Sequence, residues 1–187
     1  MQPGGLSCFI GTGKMHLQTS RLDLLPCSLE VARVILSNSA DVETVLGLDV
    51  PGDWPAGDPQ EVLQSYVEQL EADPSLQGWG VWFMIQRAEQ TVIGDAGFKG
   101  RPDCEGTVEI GYSVVPAYRR QGYGFEAARA LVDWALAQED VTRITAECDI
   151  DNAPSIRILE KLGFQRPETD RNLSRWELNK ATGRQQR

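Results

Sequence analysis

The chain has 187 residues, of which 41% are hydrophobic, and a formal net charge of −9. This length fits one domain with a substantial core. Because nucleic-acid binding depends on neutralising phosphates, so acidic a chain is not expected to bind nucleic acid. His16 is its one histidine, which excludes a Ser-His-Asp triad, a Cys-His pair and most zinc sites. No metal is therefore expected.

The longest strongly apolar run, 81–85, is too short to span a bilayer, so no membrane partner is expected. Cys8, Cys27, Cys104 and Cys148 are scattered without metal-ligand spacing, which indicates reduced thiols in the cytoplasm. We predict a flexible extension over 1–17, one domain over 18–180 and a polar tail over 181–187.

The first predicted elements are a strand, a loop and two helices. Alternating apolar residues predict a strand over 21–25, and Ser28 is a candidate N-cap for a helix that follows it. Residues 47–58 are rich in Pro, Gly and Asp and predict a loop. Asp58-Pro59 then begins a second helix, and Asp73-Pro74 ends it.

The second half of the chain predicts strands first and then alternating helices and strands. Short connections favour an antiparallel meander for strands at about 79–87, 91–99 and 107–115. The remaining predicted elements are a helix at 122–138, a strand at 141–149, a helix from Asn152 to Leu162 ended by Gly163, and a strand at 173–178. The fold class is α+β, with one β-α-β unit in the second half.

The strongest functional signal is the turn Tyr118-Arg119-Arg120-Gln121-Gly122-Tyr123-Gly124, between a predicted strand and a predicted helix. Two glycines permit close approach to a ligand, and the first amides of the helix lie at the positive end of its dipole. Arginines stand beside them, so the turn predicts a site for a phosphorylated cofactor.

Two general phosphate-binding motifs fit less well. Gly11-Thr12-Gly13-Lys14 lacks the earlier glycine and the following hydroxyl residue of a P-loop. Residues 122–127 match the dinucleotide pattern G-x-G-x-x-A. That fold, however, needs a parallel strand that ends directly at the first glycine, and residues 116–121 intervene.

A third interpretation accounts for the residues on both sides of the turn. Residues 119–124 resemble the R-x-x-G-x-G/A loop of the GNAT superfamily of N-acetyltransferases, and residues 152–164 resemble its N-x-x-S-x-x-x-x-E-K-x-G-F segment. Thr19-Ser20-Arg21-Leu22 and Glu109-Ile110-Gly111-Tyr112 resemble two of its strands. The similarity covers about 19–178, and the branch that it most resembles contains the ribosomal-protein N-terminal acetyltransferases.

This resemblance implies a GNAT-like, mostly antiparallel sheet, flanked by helices and splayed where the strand at 107–115 and the strand at 141–149 part. It implies acetyl-coenzyme A as cosubstrate, with its pantetheine arm in the gap and its pyrophosphate on the turn. The implied cofactor-binding residues are Val114, Val115, Arg119, Arg120, Gln121, Gly122, Tyr123, Gly124, Asn152 and Ser155. For the two valines the implied contact is through the backbone, and an amide near Val115 would stabilise the oxyanion.

Acetyl transfer to an amine needs a base, because an alkyl ammonium has a pKa of about 10. Glu109 is the predicted catalytic base, and alternation places it on one strand face with Gly111, Ser113 and Val115. Many relatives carry a tyrosine just before Glu-Lys-x-Gly-Phe, where this chain has Leu159. The resemblance implies that Ser155 acts as the acid in its place.

The predicted function is an N-acetyltransferase, an acyltransferase that moves the acetyl group directly to a primary amine in a ternary complex. Asp49, Asp53 and Trp54 in the 47–58 loop are the candidate acceptor-binding residues. The expected acceptor is a protein N-terminus or a small-molecule amine, cationic amines included, and a monomer and a homodimer both remain open. The alternatives are a non-catalytic coenzyme A-binding module and, less well matched, a dinucleotide-binding protein.

Overall fold

The computed structural model describes residues 15–37, 42–55, 60–170 and 172–180. Within them the chain forms one eight-stranded sheet and five α-helices. Asp58-Pro59, the Gly11–Lys14 motif, and most of the predicted extension and tail lie outside the described residues. The domain limits therefore stay a prediction, although Leu17–Gln18 (β1) is already a strand, so paired structure begins inside the predicted extension.

The first half of the chain forms β2 (Leu22–Pro26), α1 (Leu29–Leu36), α2 (Val42–Leu46) and α3 (Gln60–Ala72), followed by the predicted meander of β3 (Val81–Gln86), β4 (Thr91–Phe98) and β5 (Thr107–Val114). Ser28 caps α1, since its side chain accepts a hydrogen bond from the amide of Val31. The sequence analysis did not predict α2, a helix of five residues.

The second half forms α4 (Tyr123–Ala137), β6 (Arg143–Asp149), α5 (Ala153–Leu162), β7 (Gln165–Asp170) and β8 (Leu173–Asn179). Asn152 caps α5, and Gly163 ends it with the positive φ of 88° that favours glycine. The sequence analysis did not predict β7, because its stretch is polar and contains Pro167. Proline is tolerated there because β7 is the last strand of the sheet and has a free edge.

The strand order is β1-β2-β3-β4-β5-β6-β8-β7, and only β5 and β6 run parallel. The predicted α+β class, the mostly antiparallel sheet and the single β-α-β unit are confirmed. The strand before the dinucleotide pattern at 122–127 is β5, and it runs antiparallel to its neighbour β4. A doubly wound fold has a mostly parallel sheet, so the pattern does not mark such a fold here.

The two faces of the sheet carry different layers. Trp82, Phe98 and Tyr112 face α4 and α5, where the rings of Trp82 and Phe98 pack against Trp134. Phe83 and Asp95 face the opposite side, where the loop after α2 and the helix α3 lie. After the roles predicted for them, we call these the cofactor face and the acceptor face. The candidate site lies where the sheet opens.

Candidate active site

The sheet splits between its two parallel strands. Thr107 pairs with Arg143, Val108 with Ile144 and Glu109 with Thr145. The described residues show no pairing of β5 with β6 beyond this point. Each strand continues outward on its own partner, β5 on β4 and β6 on β8. The predicted splay therefore begins after Glu109.

A cavity of about 290 Å³ occupies this gap. It is lined by Ile110, Gly111, Tyr112, Ala146, Glu147, Cys148, Asp149, Asn152, Ser155, Leu159 and Leu173. One wall is thus β5, the second is β6 and the third is the start of α5. The cavity brings Asn152 and Ser155 together, as the resemblance implied, and adds Tyr112 and Cys148.

The backbone of β5 offers its free edge to this gap. The amide of Val115 donates to the carbonyl of Ile93 on β4, at 3.0 Å. Amides alternate in direction along a strand, so those of Tyr112 and Val114 point the other way, towards the gap. The amide of Val115 is therefore already bonded, and the amide near Val115 that points to the gap is that of Val114.

Two hydroxyl groups form the polar wall of the cavity. The hydroxyl oxygens of Tyr112 and Ser155 lie 2.8 Å apart. Burial raises the pKa of Tyr112 to about 12, against the lowering effect of its hydrogen bond with Ser155. The Ser155 amide donates to Asn152 Oδ1 at 3.2 Å, so Asn152 both caps α5 and lines the cavity. Leu159, which replaces the family's tyrosine, is buried behind them.

The glycine-rich turn joins the end of β5 to the start of α4. Gly122 is the residue before the helix and has a φ of 86°, a conformation that a Cβ would strain. A Cβ on Gly124 would lie 3.4 Å from Ile158 and 3.5 Å from Val114, at ordinary contact distance, so the start of α4 packs closely against both α5 and β5. The free amides of the first turn of α4 therefore open beside the gap.

Arg119 and Arg120 lie exposed on this turn. Arg119 Nε donates to the carbonyl of Val114 at 2.7 Å, which ties the turn to the end of β5. Within the part of the chain that the structure describes, neither arginine has a carboxylate partner. Arg129, in contrast, lies one helical turn from Asp133 and faces it at 3.9 Å. The positive charge available to a phosphate is therefore concentrated in Arg119 and Arg120.

Arg21 is a further basic residue at the turn, and the sequence analysis did not assign it to the site. Its Nη1 donates to the carbonyl of Gln121 at 3.0 Å, and its guanidinium lies 4.2 Å from the centre of the Tyr123 ring. Glu126 holds Arg21 in place with an ion pair of 2.7 Å. The segment Thr19-Ser20-Arg21-Leu22 was recognised in the sequence as part of a strand. No local pattern, however, indicates that Arg21 contacts a residue 100 positions away.

Glu126 is the anchor of this arrangement. Burial acts to raise its pKa, but hydrogen bonds from Thr19, from the amide and side chain of Arg21, and from Ser20 outweigh burial and lower the pKa to about 2. The carboxylate is thus ionised at any physiological pH. It fastens the β1–β2 turn to the first turn of α4, where a negative charge is also favourable to the helix dipole.

Glu109, the predicted base, lies at the closed end of the gap. Its face of β5 is the predicted one, opposite to that of Tyr112. Its carboxylate forms an ion pair with Lys99, the residue after β4, and its side chain remains 27% exposed. The carboxylate is therefore already engaged by a charged partner.

The loop after α2 reaches the sheet through two of its three candidate residues, Asp49 by its backbone and Trp54 by its side chain. Trp54 is buried, packs edge-on against Phe83 with ring centres 5.5 Å apart, and donates from Nε1 to Asp95 Oδ2 at 3.0 Å. Asp49 and Asp53 are exposed, and Asp49 bridges to Thr91, four residues along β4 from Asp95. Asp95 was not predicted, since a lone carboxylate between two glycines in a strand has no sequence signature.

Asp95 is the most perturbed carboxylate on the acceptor face. Burial raises its pKa to about 6, although the hydrogen bond from Trp54 acts in the opposite direction. Its neighbour on β3 is Phe83 and its neighbour on β5 is Ser113, so neither strand offers a compensating charge.

The described residues contain no group of three or more His, Cys, Asp or Glu side chains that could hold a metal ion. They also contain no helix long and apolar enough to cross a membrane. Of the four cysteines, Cys27, Cys104 and Cys148 are described, and all three are free thiols.

A sequence model of the acetyltransferase (GNAT) domain matches residues 21–165. The chain belongs to this acetyltransferase family. A Bacillus subtilis protein named uncharacterized N-acetyltransferase YjdG is 36% identical over 148 residues, covering 79% of this chain and 88% of the relative. The predicted family is therefore confirmed, and the protein is an acyltransferase by membership.

Solved structures of GNAT proteins share the fold. The ribosomal-protein-S5-alanine acetyltransferase of Vibrio fischeri has a TM-score of 0.65 at 13% identity, covering 89% of this chain and 97% of its own. The microcin C7 self-immunity acetyltransferase MccE, solved with acetyl-CoA and AMP, has a TM-score of 0.60 at 17% identity, covering 86% of this chain and 93% of its own.

Proposed function

We propose that this GNAT protein transfers the acetyl group of acetyl-coenzyme A directly to a primary amine. One observation carries the proposal: the positive end of α4 opens beside a gap in the sheet whose wall carries the hydroxyl pair of Tyr112 and Ser155. A phosphate site and a narrow polar cleft in succession suit a long cosubstrate with a pyrophosphate at one end and a thioester at the other.

The turn before α4 would hold the pyrophosphate. The amides of residues 122–125 have no partner inside the helix, and the helix dipole favours an anion there. Arg119 and Arg120 supply the charge that an acidic chain otherwise lacks, while Arg21 braces the turn from the other side. Asn152 and the free edge of β5 at Val114 would contact the pantetheine arm.

The acetyl group would lie at the inner end of the gap, near Tyr112 and Ser155. The amine nitrogen attacks the thioester carbon, the new N–C bond forms, and the C–S bond breaks. The amide of Val114 is placed to stabilise charge on the carbonyl oxygen. Ser155, hydrogen-bonded to Tyr112, can return a proton to the leaving sulfur. That requirement is weak, because an alkyl thiol has a pKa of about 8.5.

The ammonium proton needs an acceptor before attack. At pH 7 only about one alkyl amine in a thousand is free base, so deprotonation costs about 4 kcal/mol. Two carboxylates on the acceptor face are candidates, Glu109 and Asp95. The proposal requires one of them. The acceptor is a protein N-terminus or a small amine, and the Vibrio fischeri neighbour is named for a protein acceptor, an alanine of ribosomal protein S5. The cytoplasm, where free thiols persist, is the proposed compartment.

One observation favours a non-catalytic coenzyme A-binding module as the second candidate. Glu109 forms an ion pair with Lys99, so the carboxylate that the resemblance implied as the base already has a charged partner. The phosphate-binding turn and the gap would be the same in such a module. The two candidates therefore differ only in turnover.

The test measures binding and turnover together. Calorimetry with acetyl-coenzyme A should give a dissociation constant in the micromolar range, and NAD should give none. Release of free thiol is then measured with four acceptors. They are a peptide with a free N-terminus, a peptide with a blocked N-terminus and a free lysine side chain, spermidine, and an aminoglycoside. We expect turnover with at least one of them. Tight binding without any turnover would instead favour the module, and stabilisation by NAD alone would contradict both.

A further inference from the structure

Asp95 is a partly buried carboxylate with no ionic partner among the described residues. Its one described side-chain donor is the indole of Trp54, a neutral group. A carboxylate can accept about four hydrogen bonds, and burying its charge without a counter-ion is costly. An asparagine would accept the same indole hydrogen bond without that cost. Anchoring Trp54 therefore does not explain why a charged residue stands here.

Asp95 also stands close to the gap. It pairs with Ser113, whose neighbours on either side, Tyr112 and Val114, direct their amides into the gap. Directly paired residues on antiparallel strands have Cα atoms about 5.5 Å apart. Glu109 lies four residues further down β5, about 14 Å from Ser113, where β5 and β6 are still paired.

We infer that Asp95, oriented by Trp54, is the carboxylate that accepts the proton of the acceptor ammonium. The inference rests on the proposed function. The ammonium enters from the acceptor face and supplies the counter-ion that Asp95 lacks. One N–H bond breaks, the proton moves to an Asp95 oxygen, and the freed lone pair forms the bond to the acetyl carbon. The C–S bond breaks, and the leaving thiolate takes up a proton from Ser155 or water. The attacking nitrogen loses its second proton as the amide forms, and that proton replaces the one given up by Ser155 or water.

The electrostatic setting of Asp95 supports this role. Burial raises its pKa to about 6, which places a carboxylate near the operating pH of a general base. The groups that pack on it from β3, β5 and the loop are Phe83, Ser113 and Trp54, none of which titrates between pH 4 and 9. The charged residues on the same face of β4 and β5, Lys99 and Glu109, pair with each other.

The test is the pH dependence of kcat/KM for the amine that the wild type acetylates fastest in the panel above. A working base makes the rate level above its pKa, whereas without one the rate follows the free-amine fraction and rises tenfold per pH unit. For Asp95→Asn we expect at least a hundredfold loss at pH 7, this tenfold slope from pH 6 to 9, and an acetyl-coenzyme A dissociation constant within twofold of wild type.

Trp54→Phe gives a second, independent measurement. It removes the hydrogen bond that lowers the pKa of Asp95, so the acidic limb of the profile should move to higher pH while the level region remains. Asp133→Asn is the matched control, because it removes an exposed carboxylate on α4, and its profile should equal that of the wild type.

Each contrary result has one meaning. An Asp95→Asn profile that stays level and within threefold of wild type overturns the inference. So does the tenfold slope appearing in Glu109→Gln instead, because the base is then Glu109 and the proposed function still stands. Equal losses in Asp95→Asn and Asp133→Asn would show a general charge effect and would also overturn it. A wild type that binds acetyl-coenzyme A and acetylates no amine overturns the proposed function, and the inference with it.

Discussion

The candidate site residues on the two faces of the sheet are arranged differently along the chain. On the cofactor face, the turn, the start of α4 and the start of α5 come from two continuous segments, 118–124 and 152–164. On the acceptor face, Trp54 and Asp95 come from a loop and a strand that are 41 residues apart. The proposed cosubstrate site is therefore made of local motifs, whereas the proposed acceptor site is assembled from residues that carry no motif.

The largest expected effect tests the cofactor face. Replacing both Arg119 and Arg120 with alanine should weaken acetyl-coenzyme A binding about a hundredfold, since each charged hydrogen bond contributes about 1.5–3 kcal/mol. Calorimetry at two salt concentrations measures the loss and its electrostatic origin. Arg129→Ala removes one positive charge from the second turn of α4, and its dissociation constant should change less than twofold. Equal losses would mean that only net charge matters.

The second effect tests the acceptor face through stability. The folded-state pKa of Asp95 is raised to about 6 from 3.8, so the folded state binds the proton more tightly and loses stability as pH rises between these values. Asp95→Asn removes this loss and should stabilise the protein at pH 7.5 by about 2 kcal/mol. Urea unfolding at pH 7.5 and pH 4 measures it. A variant that is less stable than wild type at pH 7.5 would contradict the buried, unpaired charge.

A third effect lies in the gap between the faces. Ser155→Ala removes the hydroxyl that Tyr112 contacts, and kcat should fall about tenfold, because a thiol needs only weak acid assistance to leave. The rate of thiol release at saturating substrate concentrations measures kcat. Thr145→Ser, a hydroxyl change on β6 outside the cavity lining, serves as the control. A loss of a thousandfold would show that sulfur protonation limits the reaction.

The smallest expected effect concerns the contact between the β1–β2 turn and α4. Glu126→Gln removes the charge that holds Arg21, and the melting temperature should fall by a few degrees, corresponding to about 1 kcal/mol. The pKa of Glu126 is lowered to about 2, so its contribution is present above pH 4.5 and is lost as pH falls towards 2. Scanning calorimetry at pH 7 should show the difference, and at pH 2.5 it should shrink. A constant difference would contradict the ionic origin.

Much of the fold could be predicted because its signals are local. The meander, α4 and α5 follow from apolar periodicity, from the capping side chains Ser28 and Asn152, and from Gly163. The edge strand β7 was not predicted, since its pairing with β8 stabilises a polar segment that has little strand propensity of its own. Likewise the amide of Val115 could not be excluded without knowing that it bonds Ile93.

The sequence by itself determined the family, the mixed fold and the glycine-rich turn proposed to bind phosphate, because helix caps, glycine conformations and strand periodicity depend on residues a few positions apart. Only the tertiary structure decided which side chains share the candidate site. It paired Glu109 with Lys99, set Arg21 against the turn, and partly buried Asp95 beside Trp54. Burial and charge pairing set the proton affinity of a carboxylate, and both depend on neighbours that only the folded sheet brings together.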